Sequence, residues 1–300
     1  LAARLWANPR LRACLLIIGF FSAFALLGPL LLPPDYSRVS PDQLAPPSWR
    51  HPFGTDLNGR DMLYRVMTGA RVSLLVGLAG ALVSLFIGTA YGMLSGYLGG
   101  KADAVMMRIV DTFYSVPRLI FVLVLINAFD AELTGWLSRG PFEALSGYSR
   151  IVILILALGL IEWLTMARIV RGQVLALKSS QFVTASRALG QSHLRILTRH
   201  LLPNISGVIV IYLTLTIPAV ILDESFLSFL GLGVQAPHSS WGSLLSDATE
   251  VINPVQSYWW LLAFPAVAMS LTLLAFNFLG DGLRDLLDPR SEPANRRADA

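Results

Sequence analysis

Apolar positions along this chain gather in long blocks separated by short polar stretches, with neither the alternation of a strand nor the single stripe of a surface helix. Uncharged runs at 13–32, 72–98, 205–222 and 257–280 reach the roughly 18–20 residues a helix needs to cross a bilayer. Two further apolar stretches are interrupted, one at 104–129 by Arg108, Asp111 and Arg118 and one at 151–168 by Glu162. Together they predict an all-α integral membrane protein with six spans, at 13–32, 72–97, 104–129, 151–170, 204–230 and 257–280. The remaining segments are an N-terminal stretch at 1–12, an outer linker with a short helix at 33–71, a loop at 171–203, an outer loop at 231–256 and a tail at 281–300, so that 72–280 forms the core.

The polar stretches differ in charge, and this orients the chain. From Trp163 through Leu222 there is no Asp or Glu, yet Arg168, Arg171, Lys178, Arg187, Arg195 and Arg199 all fall there. Under the positive-inside rule that loop is cytoplasmic, and with six spans both termini are too. The first outer segment carries Arg38, Arg50, Arg60, Arg65 and Arg71, which fits the rule less well. The apolar run after Arg4, Arg10 and Arg12 is long enough to be a retained anchor rather than a signal peptide.

The segment after the first span holds Pro33, Pro34, Pro41, Pro46, Pro47 and Pro52, which disfavours helix and predicts an extended surface linker. Gly54 and Gly59 permit turns, and Asp61 can cap a helix starting at Met62. In the second span Gly80, Ser84, Gly88, Gly92 and Gly96 recur every fourth residue, leaving one face almost bare for close approach of a neighbour. Static packing is the plainer reading of that stripe, and a helix that slides or rocks is the functional one.

At 54% hydrophobic and 14% charged, the composition lies outside the range of soluble domains. The formal net charge of +4 is read first as orientation signal and contact with membrane lipid, with no role for nucleic acid. Cys14 is the single cysteine, so one chain can build neither a disulfide framework nor a thiolate cage. There is no G-x-x-x-x-G-K-[ST] and no H-E-x-x-H, so the chain carries no nucleotide-binding motif, catalytic residue or metal site of its own. His51, His193, His200 and His238 are scattered, which suits polar or capping roles. Charges within spans mark a pathway or a buried pair. Asp111, Arg108 and Arg118 fall near one helical face and predict mutual pairing. Glu162 either pairs with one of those arginines or faces a cavity; with Asp223 and Glu224, which follow Pro218, it is a candidate for lining a solute route.

Within the basic loop Ser180 can cap a helix whose Phe182, Ala185 and Leu189 share a stripe, Gly190 can end it in the left-handed conformation, and Ser192 can cap a second helix. That second helix places Leu194, Leu197 and Leu201 on one face and Arg195 and Arg199 on another. The pair makes a knuckle between the fourth and fifth spans.

Ala185, Gly190, Leu202 and Pro203 resemble, at the right spacings, the cytoplasmic signature of the permease subunits of ATP-binding-cassette importers, E-A-A, three residues, Gly, nine residues, then a hydrophobic residue or His followed by x-Leu-Pro. Thr184 stands where that pattern has Glu and Ser186 where it has the second Ala. The segments 53–61, 95–101, 228–233, 240–242 and 280–289 are similar to the second permease of oligopeptide and dipeptide importers. The resemblance implies a type I importer permease fold in a bacterial inner membrane, paired as a heterodimer with a homologous permease. It also implies two ATPase subunits that bind ATP and Mg, and a periplasmic or extracellular solute-binding protein. In that family a coupling helix, here Gln181, Phe182, Thr184, Ala185, Ser186, Arg187, Ala188 and Leu189 up to Gly190, docks on the ATPase, and His200, Leu202 and Pro203 close the loop. Related permeases also serve nickel, glutathione or opines. A proton-coupled carrier using Glu162, Asp223 and Glu224 is the alternative from another class; it requires inverted repeats, which the sequence lacks. A structural subunit of a membrane enzyme would need ligand clusters within the spans.

Overall fold

Asp61 starts a 37-residue helix as its spacing predicts, its carboxylate accepting from the free backbone N–H groups of Leu63 (2.8 Å) and Tyr64 (3.2 Å). The computed structural model describes residues 6, 8–32, 38–139, 147–251 and 256–287. Arg4, Pro33, Pro34 and residues 288–300, with the end of the 280–289 motif, lie outside them. In chain order the helices are α1 (Pro9–Leu31), α2 (Met62–Leu98), α3 (Gly100–Tyr114), α4 (Arg118–Ser138), α5 (Ser149–Leu177), α6 (Gln181–Ala188), α7 (His193–Phe229), α8 (Trp241–Thr249) and α9 (Trp259–Leu287). Among the described residues α1, α2, α4, α5, α7 and α9 are long and apolar enough to cross a membrane.

In the course of its elements the structure departs from the sequence reading at four places. The third span, expected as one helix over 104–129, is broken: α3 ends at Tyr114, Pro117 forces extended backbone, and the apolar helix is α4, running on to Ser138. Residues 62–71, expected as a separate short helix, are the first turns of α2. Residues 231–256, expected as a loop, hold α8, opened by a capping box between Ser240 and Ser243.

The fourth departure is the linker. Residues 38–61 fold into a small cap, closed by a bridge between Thr55 and Asp61, with both Gly54 (φ 74°) and Gly59 (φ 70°) in the left-handed region. Asp56 gathers it, accepting from the backbone N–H of Asn58 (2.8 Å) and Arg60 (2.9 Å) and from the Arg65 guanidinium (2.9 Å), which reaches across to Asp247 of α8 (2.9 Å). Phe53 lies flat on Phe264 of α9, ring centroids 3.9 Å apart and 2° from parallel. Prolines preclude a helix here, yet the side-chain and aromatic contacts supply the order that the backbone ladder does not.

α2 is the axis of the bundle. Gly80, Ser84, Gly88, Gly92 and Gly96 are all buried. A Cβ added at Gly88 would stand 2.6 Å from Met166 Cβ, one at Gly92 would fall on the Ala167 carbonyl, and one at Gly96 would stand 2.9 Å from the Arg171 carbonyl, so the stripe seats α2 directly on α5. Gly159 of α5 returns the approach, a Cβ there standing 2.9 Å from the Gly80 carbonyl. On the cap side Phe21, Met62, Trp241 and Trp260 bring α1, α2, α8 and α9 into one apolar cluster. At the opposite end Met93, Val174, Val183, Ile196 and Leu201 join α2, α5, α6 and α7 in another.

Charge ties α3 and α4 to α5. Asp103 is gripped by both Nε and Nη2 of Arg171 (2.5 and 2.6 Å) and accepts from the Ser95 hydroxyl (2.5 Å). The Arg171 hydrogen bonds, against an opposing effect of burial, hold the Asp103 carboxyl below the usual carboxylate range, helped by Ser95 and by the nearby Lys178. A folded pKa below the unfolded one gives stability that is full above the ordinary carboxylate value, near pH 4, and is lost as pH falls through the depressed one. Asp103→Asn is therefore expected to cost about 1.5–3 kcal/mol at pH 7 and to flatten the acid side of the stability profile below about pH 4, which thermal melts in detergent across pH 3–7 would read.

Candidate functional site

The basic loop forms the expected knuckle, but it is held in a different way from the one its pattern suggests. Gly190 ends α6 at φ 69°, in the left-handed region, and Ser192 accepts from the Arg195 N–H at 3.4 Å. Ser180 occupies the first position before α6, yet its hydroxyl donates back to the Leu177 carbonyl (2.6 Å) instead of capping the helix. Phe182, Ala185 and Leu189 face outward, Leu189 being 80% exposed. Gln181, Thr184, Arg187 and Ala188 are exposed as well.

The knuckle is anchored by Val183 and Ser186, the two buried positions of α6. Val183 is fully buried in the apolar cluster that contains Met93 of α2 and Val174 of α5. Ser186 turns its hydroxyl onto the Phe182 carbonyl (2.8 Å). Tyr97, near the end of α2, adds a second hold: its hydroxyl meets His193 Nδ1 at 2.7 Å, and the Arg187 guanidinium sits 5.0 Å from its ring centre. The anchors were legible only in part, since a lone valine on the face opposite a stripe is a weak signal.

The return limb is corrected in its geometry. It is the first part of α7, continuous with the span, and Ile196–Leu201 form a π-helical turn. Proline removes an N–H and crowds the preceding turn, and Pro203 stands two residues past Leu201; a widened turn relieves that clash. The wider turn also shifts the periodicity. Leu201 and Ile196 are buried and Leu194 is 69% exposed, so Leu194, Leu197 and Leu201 do not share one face. His200 Nε2 meets Gln191 Oε1 at 2.8 Å, and Asn204 Nδ2 donates to the His200 carbonyl at 2.7 Å. Leu202 is half-buried beside Pro203, which is exposed.

The charges within spans separate into two groups. Asp111 pairs with Arg168 of α5 (2.7 Å), and Arg118 pairs with Glu162 of α5 and Asp223 of α7 (2.8 Å to Asp223), so the expected pairing among Asp111, Arg108 and Arg118 within one helix is not found. The break at Pro117 explains this, because it puts Asp111 and Arg118 on different helices. Arg118 and Glu162 border a small recess of about 60 Å³ with Phe113, Tyr114 and Phe121. Glu224 stands apart from them. It is completely buried, and it accepts from Ser228 (2.6 Å) and Ser73 (3.0 Å). Those same hydroxyls accept from the Val234 and Trp241 backbone N–H groups (2.9 and 3.2 Å), so Glu224 ties α2, α7 and the start of α8 together and has no opening onto a route.

Residues 88–293, which include the knuckle, match the family described as binding-protein-dependent transport system inner membrane component. The chain belongs to that family. Outside it the chain keeps its likeness to full-length relatives: it is 44% identical over 288 residues to the dipeptide transport system permease protein DppC of Bacillus subtilis, covering 96% of this chain and 84% of that one. It is also 44% identical over 301 residues to the oligopeptide transport system permease protein OppC of Escherichia coli, covering 95% and 91%. Among solved structures an inward-facing form of the MetNI methionine ABC transporter superposes with a TM-score of 0.52 at 22% identity, over 74% of this chain and 96% of that one, which supports the type I importer permease fold. The transport-component family and the six apolar helices make this a multi-pass membrane protein.

Proposed function

We propose that the chain is one permease half of an ATP-driven peptide importer in a bacterial inner membrane, with both termini and the knuckle in the cytoplasm. The observation that carries this reading is the likeness, over nearly the whole chain, to dipeptide and oligopeptide permeases. A homologous permease completes the pathway as a heterodimer, two ATPase subunits bind ATP and Mg, and an external solute-binding protein delivers the peptide. The outward stripe of Phe182, Ala185 and Leu189 is the face offered to an ATPase groove, while Val183 and the Tyr97–His193 contact join it to the ends of α2, α5 and α7. Nucleotide binding and hydrolysis favour different arrangements of the permease pair, and the docked α6 transmits that shift in population.

Purified complex in proteoliposomes is expected to accumulate a labelled peptide only with ATP and binding protein, and to keep doing so when an uncoupler dissipates the proton gradient. Uptake by the lone chain that collapses with the gradient would instead support a carrier, and uptake of nickel, glutathione or an opine in place of every peptide would reassign the solute.

A further inference from the structure

Four carboxylate–guanidinium contacts join α3 and α4 to α5 along the bundle: Asp103 with Arg171, Asp111 with Arg168, Arg118 with Glu162, and Asp130 with Arg150. At three of them, among the described residues, one carboxylate meets one guanidinium. The Arg118 contact differs, because Asp223 of α7 brings a second carboxylate to the same cation. A single nitrogen, Nη2, donates to both Glu162 and Asp223, and the other guanidinium nitrogens donate no hydrogen bond among the described residues. The three groups thus carry one more negative charge than positive within the spans, where uncompensated charge is costly and marks a substrate or ion pathway by default.

We propose that Glu162 and Asp223, with Arg118 as their resident counter-ion, hold a primary ammonium of the transported solute during passage. The proposal rests on the peptide-importer reading and names what one point of that pathway recognises. An ammonium is a compact charge with three donors, so it can bridge two carboxylates without displacing the arginine that already contacts both. The neighbouring recess gives it company of the right kind, since Phe113 and Phe121 line it and aromatic rings attract cations, as the Tyr114 ring beside them already holds the Arg168 guanidinium 4.0 Å from its centre. The site is also open to an arriving group: the Arg118 side chain is 52% exposed and that of Asp223 25%. Glu224, by contrast, spends its oxygens on serine hydroxyls and is closed to any solute. Both carboxylates sit on α5 and α7, the two helices that flank the knuckle, so motion of α6 would change their separation and release the ammonium.

The ammonium has two sources, the peptide N-terminus and a lysine side chain. Uptake by the full complex with its binding protein is compared for a free and an N-acetylated tripeptide, and for acetylated tripeptides with lysine or norleucine at the centre. Selection by the binding protein is common to wild type and variant, so it cancels in the change of the ratio between ammonium-bearing and ammonium-free peptides. Asp223→Asn is expected to lower that ratio about tenfold, the size of one well-paired charge contact, and Arg118→Gln is expected to raise it. A fall confined to the first pair of peptides assigns the α-ammonium, and one confined to the second assigns the side chain. A purely structural role would change uptake of all four peptides together and leave both ratios still, which overturns the proposal. If Asp223→Asn fails to assemble, the sign of the Arg118→Gln change decides, a rise supporting the proposal and a fall or no change overturning it. A wild-type complex that imports none of the four fails at the peptide reading, whereas one that imports them with ratios unmoved by either variant fails at the triad alone.

Discussion

Gly92→Leu is expected to leave almost no folded chain in the membrane. At this position the contact is backbone against backbone: a Cβ would land on the Ala167 carbonyl and stand 3.0 Å from the Arg171 N–H, so no side chain can swing aside to make room. Overpacking commonly costs about 1–3 kcal/mol where neighbours can adjust, and here a whole helix would have to move, which puts the loss above about 3 kcal/mol. Gly135→Ala on α4 is the matched control, because an added Cβ there meets nothing within 4 Å and alanine has the better helix propensity. Melting curves of the two variants in detergent should part widely, with Gly135→Ala at or slightly above wild type. A Gly92→Leu chain that melts within 1 kcal/mol of wild type would mean that α2 and α5 are not seated as described.

Val183→Asp is expected to abolish coupled uptake while the chain still accumulates in the membrane. The substitution puts a carboxylate into the fully buried apolar cluster at the knuckle end, at an effective cost of several kcal/mol. α6 is short and bounded by Gly190, so local release of the helix is a cheaper response than unfolding of the spans. Peptide uptake should fall more than about a hundredfold, since a cost of roughly 3 kcal/mol leaves that fraction of knuckles docked. ATPase activity should lose its response to loaded binding protein. Val183→Ala, which leaves a small cavity, should retain most of the uptake. Normal coupling in Val183→Asp would remove the anchor from the mechanism.

Local chemistry explains why some features were legible. Asp61 two and three residues before free amides, Gly190 after an amphipathic turn, and a small residue at every fourth position from Gly80 are all statements about neighbours within one helix, and each is found in the structure. What was missed depends on residues far apart. The order of the cap rests on Phe53 against Phe264, and on Arg65 reaching Asp247, contacts that no window along the chain contains. The third span was misplaced because the charges of α3 were carried inside an apolar average that Pro117 interrupts. Helical spacing offers Arg118 the nearby Asp111, whereas the fold gives it Asp223 of α7 together with Glu162 of α5, the one long-range partner that the sequence does suggest. Ser180 has the right residue type and the right backbone for a cap, but the Leu177 carbonyl competes for its hydroxyl.

The π turn at Ile196–Leu201 has a consequence for how the two ends of α7 are aligned. Such a turn holds one residue more than the ordinary ladder would, and each residue of an α-helix advances the azimuth by about 100°. Shortening it by one residue would restore a regular ladder and swing the handle by that angle relative to the shaft, so that a stroke delivered at α6 would push the span sideways.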